Sequence, residues 1–197
     1  MLKRGECLIF NHPSFIRAQA SRLQEALAES GTSSADTPLV FTAHSLPAGN
    51  SSTPLYVRQV RETCSLVAEE CGFRSWSLAF QSRSGPPFQP WLGPPPEAVI
   101  REQADLGART LLMMPVGFMY DNMEIVYDLD EEAAGIASSL GIRMVRVKTA
   151  GNHPDIIRMI HELILERVRG GTEKKSIGSM PAADDDCLDC LCRKNLD

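Results

Sequence analysis

The sequence predicts an α/β protein, with a four-stranded parallel sheet between two layers of helices in a three-layer α/β/α sandwich. Three observations predict it. Short, near-continuous apolar stretches rich in β-branched and aromatic residues alternate with longer segments of helical period. Strands that are apolar on both faces belong to sheets covered on both faces. The order, one helix and then four strand–helix units, supplies the crossover helix that each parallel neighbour requires.

The elements follow in order. Residues 14–28 have helical period and precede the first strand, 38–43 (Pro-Leu-Val-Phe-Thr-Ala). A helix over 55–70 leads to a strand over 73–80, and a helix over roughly 96–106 leads to a strand over 110–115. The last unit pairs a helix over roughly 123–140 with a strand over 142–147, closed by a helix over 154–168. Each strand ends in a Gly, Pro or polar cluster, which stops the extended run. From Gly170 the apolar period ceases, and Gly, Ser, Asp and Lys dominate up to Asp186. The expected organisation is therefore one α/β domain over 1–169, then a flexible linker with a Cys-rich end over 170–197.

The 197 residues suit one domain, and 43% hydrophobic with 23% charged residues excludes collagen-like, coiled-coil and wholly disordered chains. A net charge of -5 without a basic run gives no support to nucleic-acid binding. No run of about 18 apolar residues predicts a membrane span. Met1-Leu2-Lys3-Arg4 runs into Gly5-Glu6-Cys7 rather than an apolar signal core, so the expected location is the cytoplasm. Six cysteines, three of them crowded at 187, 190 and 192, do not resemble a disulfide framework.

In open parallel sheets, ligands gather beyond the carboxyl ends of the strands. The first strand delivers His44, followed by Ser45-Leu46-Pro47 and a turn through Gly49-Asn50. Two readings compete there: an imidazole satisfied by nearby backbone, or one presented to a crevice. After the third strand come Asp121, Asn122 and Glu124, then Asp128 and Glu132 at i+4 and i+8 from Glu124. On a helix those carboxylates form one ladder, either a solvated acidic face near a helix start or a line of acids running from the crevice. Glu124 begins the ladder among Met119, Met123, Ile125 and Val126, where burial would raise its pKa toward the range of proton transfer. An imidazole and a carboxylate facing one cavity can hold a divalent cation or relay protons. Between them, Gln81-Ser82-Arg83-Ser84-Gly85 and Trp91-Leu92-Gly93-Pro94 form a stiff Pro-rich loop, read either as a structural turn or as an aromatic lip for a flat ligand.

Three motifs in this order resemble the ferrochelatases: Phe41-Thr42-Ala43-His44-Ser45-Leu46-Pro47; Gln81-Ser82-Arg83-Ser84-Gly85 with Trp91-Leu92-Gly93-Pro94; and Pro115-Val116-Gly117-Phe118 through Asp121, Glu124, Tyr127 and Asp130. The resemblance runs from about Cys7, through Asn11-His12-Pro13-Ser14-Phe15-Ile16, to Arg169, with Gly151-Asn152-His153-Pro154 near its end. It implies insertion of Fe²⁺, as substrate, into protoporphyrin IX or coproporphyrin III in haem biosynthesis, in a cleft between two similar α/β domains of which this chain resembles the second. It also implies a partner: a separate first half, or a second copy as in the short cobalt-chelatase relatives.

By resemblance, His44 and Glu124 are the catalytic and metal-facing pair, and Asp121, Asp128 and Glu132 the proton or metal path. Ser45, Gln81, Ser82 and Trp91 face the porphyrin. Asn122 departs from the His that many relatives carry two residues before the Glu. Asn152-His153-Pro154 reads as a helix start. Without the first domain, an apolar wall around Trp91, Phe118 and Met119 is expected to lie open. Cys187, Cys190 and Cys192 resemble the C-terminal cysteines that help ligate a [2Fe-2S] cluster in some ferrochelatases. Three thiolates need a fourth ligand, from Cys7, Cys64, Cys71 or the other half; the alternative is a mobile tail with redox-sensitive thiols.

Overall fold

The structure, a computed structural model, describes residues 9–86, 88–169 and 174–182. Four parallel strands form one sheet in the order β2-β1-β3-β4: β1 (Leu39–His44), β2 (Ser77–Gln81), β3 (Thr110–Met114) and β4 (Arg143–Arg146). The two central strands are almost wholly buried, which explains their continuous apolar runs.

Side-chain alternation divides the core in two. Leu39, Phe41, Leu112 and Met114 face a layer made by α1 (Pro13–Ser30), α2 (Thr53–Glu70) and α6 (Pro154–Arg169), which contribute Ile16, Leu23, Cys64, Val67 and Ile156. Val40, Leu111 and Met113 face the opposite layer, α3 (Pro96–Asp105) and the helical stretch after β3, through Ile100, Ile125, Leu129 and Ala137. That stretch begins as α4 (Met123–Ile125), continues as a π-helix (Val126–Ala133) and ends as α5 (Ala134–Ser139). The expected three-layer sandwich is the observed one.

Two local features differ from expectation. The second strand starts at Ser77, because Gly72 takes a left-handed φ of 75° and the Phe73 amide donates back to the Ala68 carbonyl, closing α2. The helix after β3 is not a plain α-helix: its middle eight residues are wound as a π-helix, a form found mostly at functional sites.

Residues 174–182 fall within the stretch expected to be a linker, yet they lie against the body. The Ile177 amide donates to Asn11 O, Asn11 Nδ2 donates to the Met180 carbonyl at 2.8 Å, and the Ser179 and Met180 amides converge on the Glu62 carboxylate. Lys175 Nζ donates to Glu162 on α6 at 2.7 Å, which lowers the pKa of that carboxyl. Among the described residues, no helix is long and apolar enough to cross a membrane.

Candidate active site

β1 places His44 at its carboxyl end, the end at which open parallel sheets bind ligands. The imidazole Nδ1 lies 2.6 Å from the Ser45 carbonyl oxygen, and the ring stands 6.4 Å from Phe118. A carbonyl oxygen only accepts, so Nδ1 carries the hydrogen and Nε2 holds the lone pair when the ring is neutral. His44 Nε2 lies 3.7 Å from Glu124 Oε1, with the two side chains 31% and 50% exposed. The structure thus brings together the two residues that the sequence singles out.

The loops around His44 are tied to one another. The His44 carbonyl accepts from Tyr56 Oη at 2.9 Å, and Thr53 Oγ1 donates to Pro47 O. Ala48 and Leu92 amides donate to Pro90 and Leu46 carbonyls, zipping the loop after β1 to the Pro-rich loop after β2. Gly117 passes so close to β1 that a Cβ there would lie 3.0 Å from Ala43 Cβ and 3.1 Å from Ala43 Cα. This approach holds the loop after β3 beside His44.

Glu124 sits in the first turn of α4. Asn122 caps that turn, its Oδ1 accepting from the Ile125 amide at 3.0 Å, so the Asn in place of a family His has a structural use. The burial expected around Glu124 is not present: Met123 is 80% exposed, Val126 and Tyr127 are exposed, and of the four flanking residues only Ile125 is fully buried. Met119 instead packs on the main core.

The ladder of acids is divided by its partners. Asp128 Oδ2 accepts from Ser82 Oγ at 2.5 Å and from Gln81 Nε2 at 3.4 Å. Ser82 has a left-handed φ of 60°, a strained setting for a residue with a side chain. Glu132 is exposed at the outer end of the π-helix. Asp121 is bound by Arg146, which also holds Asp130. Sequence reasoning missed Arg146; its one signal was an arginine at the end of an apolar strand beside an acidic segment.

Two of the residues assigned to the porphyrin lie inside. Ser45 is fully buried and its Oγ donates to Leu92 O, while Gln81 is 3% exposed. Trp91 is half-buried, pairs through its backbone with Pro47, and presses its ring against Gly85, where an added Cβ would strike it. Phe118 is also buried. A small apolar pocket adjoins the site, lined by Ile9, Phe10, Phe15, Tyr56, Val60 and Phe118 among others.

Among the described residues, no cluster of three or more metal-ligating side chains occurs. Cys64 is buried in the core, where desolvation raises its pKa well above the usual thiol value. Cys71 Sγ contacts the Ala20 carbonyl, and burial followed by Glu70 pushes its pKa to about 11. Neither is a ready thiolate ligand. Cys7, Cys187, Cys190 and Cys192 lie outside the described residues.

The Ferrochelatase family profile matches residues 7–168. The chain belongs to the ferrochelatase family. It is 44% identical over 184 residues to a ferrochelatase of Rhodopirellula baltica, an alignment covering 93% of this chain and 52% of that protein. It is 38% identical over 175 residues to a coproporphyrin III ferrochelatase of Mycolicibacterium paratuberculosis, covering 87% and 51%. This member of the family therefore spans about half the length of those curated relatives. A multi-domain Deinococcus radiodurans protein, described as structurally similar to chelatases, superposes with a TM-score of 0.50 at 19% identity over 78% of this chain and 29% of its own. That likeness concerns the fold alone.

Proposed function

We propose that this chain carries the reacting pair of a ferrochelatase, a lyase-class metal chelatase that inserts Fe²⁺ into a porphyrin in haem biosynthesis. The observation that carries the proposal is the 3.7 Å approach of His44 Nε2 to Glu124 Oε1 at the carboxyl end of β1. Metallation replaces two pyrrole N–H protons by one Fe²⁺, so two proton acceptors are needed on one face of the ring. The free lone pair of His44 Nε2 takes one proton and the Glu124 carboxylate the other. The resulting imidazolium stays beside a carboxylate or its acid, and Nδ1–H on the Ser45 carbonyl keeps the ring from turning. Before those protons move, the same nitrogen and oxygen lone pairs can replace water on the incoming Fe²⁺ substrate, and they become free for protons as the metal passes to the ring. Asp128 and Glu132 continue the acidic line outward as a proton or metal path, with Asp121 at its start. Ser82 and the exposed edge of Trp91 face the macrocycle, and Ser45 and Gln81 hold the loops that carry them.

The expected domain limits, 1–169 and 170–197, are retained, with 174–182 as a strap at the boundary. The tail cysteines 187, 190 and 192 are proposed [2Fe-2S] ligands. Burial removes Cys64 and Cys71 from the search for a fourth, leaving Cys7 or the other half. The described cysteines are free thiols, in keeping with a reducing cytoplasm.

The test is anaerobic metallation, followed by loss of porphyrin fluorescence, with protoporphyrin IX and coproporphyrin III in parallel. The chain is assayed alone and completed by the half of the Rhodopirellula relative that it does not match. Turnover by the completed protein, lost in Glu124→Gln, supports the reading. Tight porphyrin binding by a folded, completed protein without metallation overturns it in favour of a non-catalytic tetrapyrrole module. Turnover by the chain alone as a dimer points to the half-size chelatase arrangement.

A further inference from the structure

Arg146 stands at the carboxyl end of β4, and the chemistry proposed above makes no use of it. Its guanidinium makes three charged contacts. Nη1 and Nη2 donate to the two carboxylate oxygens of Asp121 at 2.9 and 3.1 Å, and Nε pairs with Asp130 Oδ1 at 2.6 Å. The two-pronged contact with Asp121 is the geometry that a planar guanidinium fork provides and an ammonium does not. The side chain is only 19% exposed. Burial alone would lower its pKa, but the two carboxylates outweigh that and hold it above the ordinary arginine value.

The position of the two acids gives the contact its meaning. Asp121 immediately precedes Asn122, the cap of α4, and Asp130 lies within the π-helix, so the fork spans Glu124 from both sides along the chain. Glu124 is half-exposed, and its polar contact among the described residues is His44. Its own side chain therefore does little to fix the segment that carries it. The segment is held by the buried Ile125 and Leu129 beneath, by Asp128 on Ser82, and by Arg146 at the opposite edge.

We infer that Arg146 is a positioning residue, bracing Asp121 and Asp130 to the sheet edge so that Glu124 stays within reach of His44. This rests on the reading of His44 and Glu124 as the reacting pair. A lysine at 146 keeps the charge but lacks the planar fork that grips Asp121 through both oxygens while Nε holds Asp130, so it should support the segment in part.

The test uses the full chain with Arg146→Met and Arg146→Lys. Amide hydrogen exchange read by mass spectrometry should show the peptide across 122–130 exchanging at least about tenfold faster in Arg146→Met, with Arg146→Lys between and β1 and β2 unchanged. Native exchange across 122–130 in Arg146→Met overturns the inference. If Arg146→Met does not fold, the same comparison is made with Arg146→Lys. In the completed protein, kcat per folded molecule should fall about tenfold or more in Arg146→Met while KM for porphyrin stays within about twofold, with partial recovery in Arg146→Lys. Loss of melting temperature with native kcat per folded molecule marks a residue that only supports the fold, and also overturns it. The two failures are distinguishable: a native protein that metallates nothing removes the proposed reaction, and exchange then decides the brace alone.

Discussion

His44 is made useful by the bond it forms with its own neighbour. With Nδ1–H committed to the Ser45 carbonyl, the ring presents one defined basic nitrogen. Glu124→Gln preserves shape but cannot accept a proton, so metallation in the completed protein should fall by about 10²-fold or more with the fold intact. His44→Ala should do likewise, and the double variant should lose little beyond either single one, because both serve one event. Retained turnover in either single variant contradicts the assignment. A second histidine answers to stability. His12 is buried, and its Nδ1 accepts the Ser14 amide that opens α1. Desolvation lowers its pKa from 6.5, against the opposing pull of Glu162 and Glu166. The folded state therefore binds this proton less readily than the unfolded one. The cap's contribution is fully present above pH 6.5 and is lost as pH falls through the depressed folded value. His12→Asn, a capping residue that does not titrate, should flatten stability against pH below 6.5 relative to native protein in urea melts; an unchanged slope would contradict this.

Among the elements, the strand ends were legible because each is an apolar run that gives way to Gly, Pro or polar residues, and His44 and Glu124 could be placed just beyond such runs from position alone. The π-helix was not legible. Its sequence keeps an ordinary helical period, and the extra residue per turn shows only in the contacts, where Asp128 reaches Ser82 and Asp130 reaches Arg146. Ser45 and Gln81 were assigned to the porphyrin by the resemblance of the motifs that carry them. Burial depends on how the two loops zip together, and that pairing carries no sequence period. A close approach between backbones is at Gly117, against Ala43 beside His44. Gly117→Ala forces methyl against β1 backbone, so it should cost about 1–3 kcal/mol and also reduce kcat by displacing His44. A Gly117→Ala protein with native melting temperature and native kcat would show that the contact gives way freely.

At the scale of the whole molecule, the pair of His44 and Glu124 is open to solvent, with side chains 31% and 50% exposed. The apolar wall expected from Trp91, Phe118 and Met119 is largely packed away, and Tyr120, Met123 and Tyr127, 53%, 80% and 58% exposed, take its place beside Glu124. A second apolar row runs along α6, where Ile157, Ile164 and Val168 are 57%, 55% and 77% exposed at helical spacing. Apolar surface is thus gathered on two faces of the chain, and the proposal of a completed ferrochelatase expects another body to cover such faces. The isolated chain should therefore sediment with increasing mass as its concentration rises, and should enhance the fluorescence of an apolar dye. Met123→Ser with Tyr127→Ser tests the rim at the site, and Ile157→Lys with Ile164→Lys tests the α6 row. Whichever pair restores a monomer identifies the self-associating face, and completion with the relative's other half should quench the dye at the face it covers. A native chain that remains monomeric across the concentration range and binds no dye would mean that both rows are solvated as they stand, and the argument for a covering partner would fail.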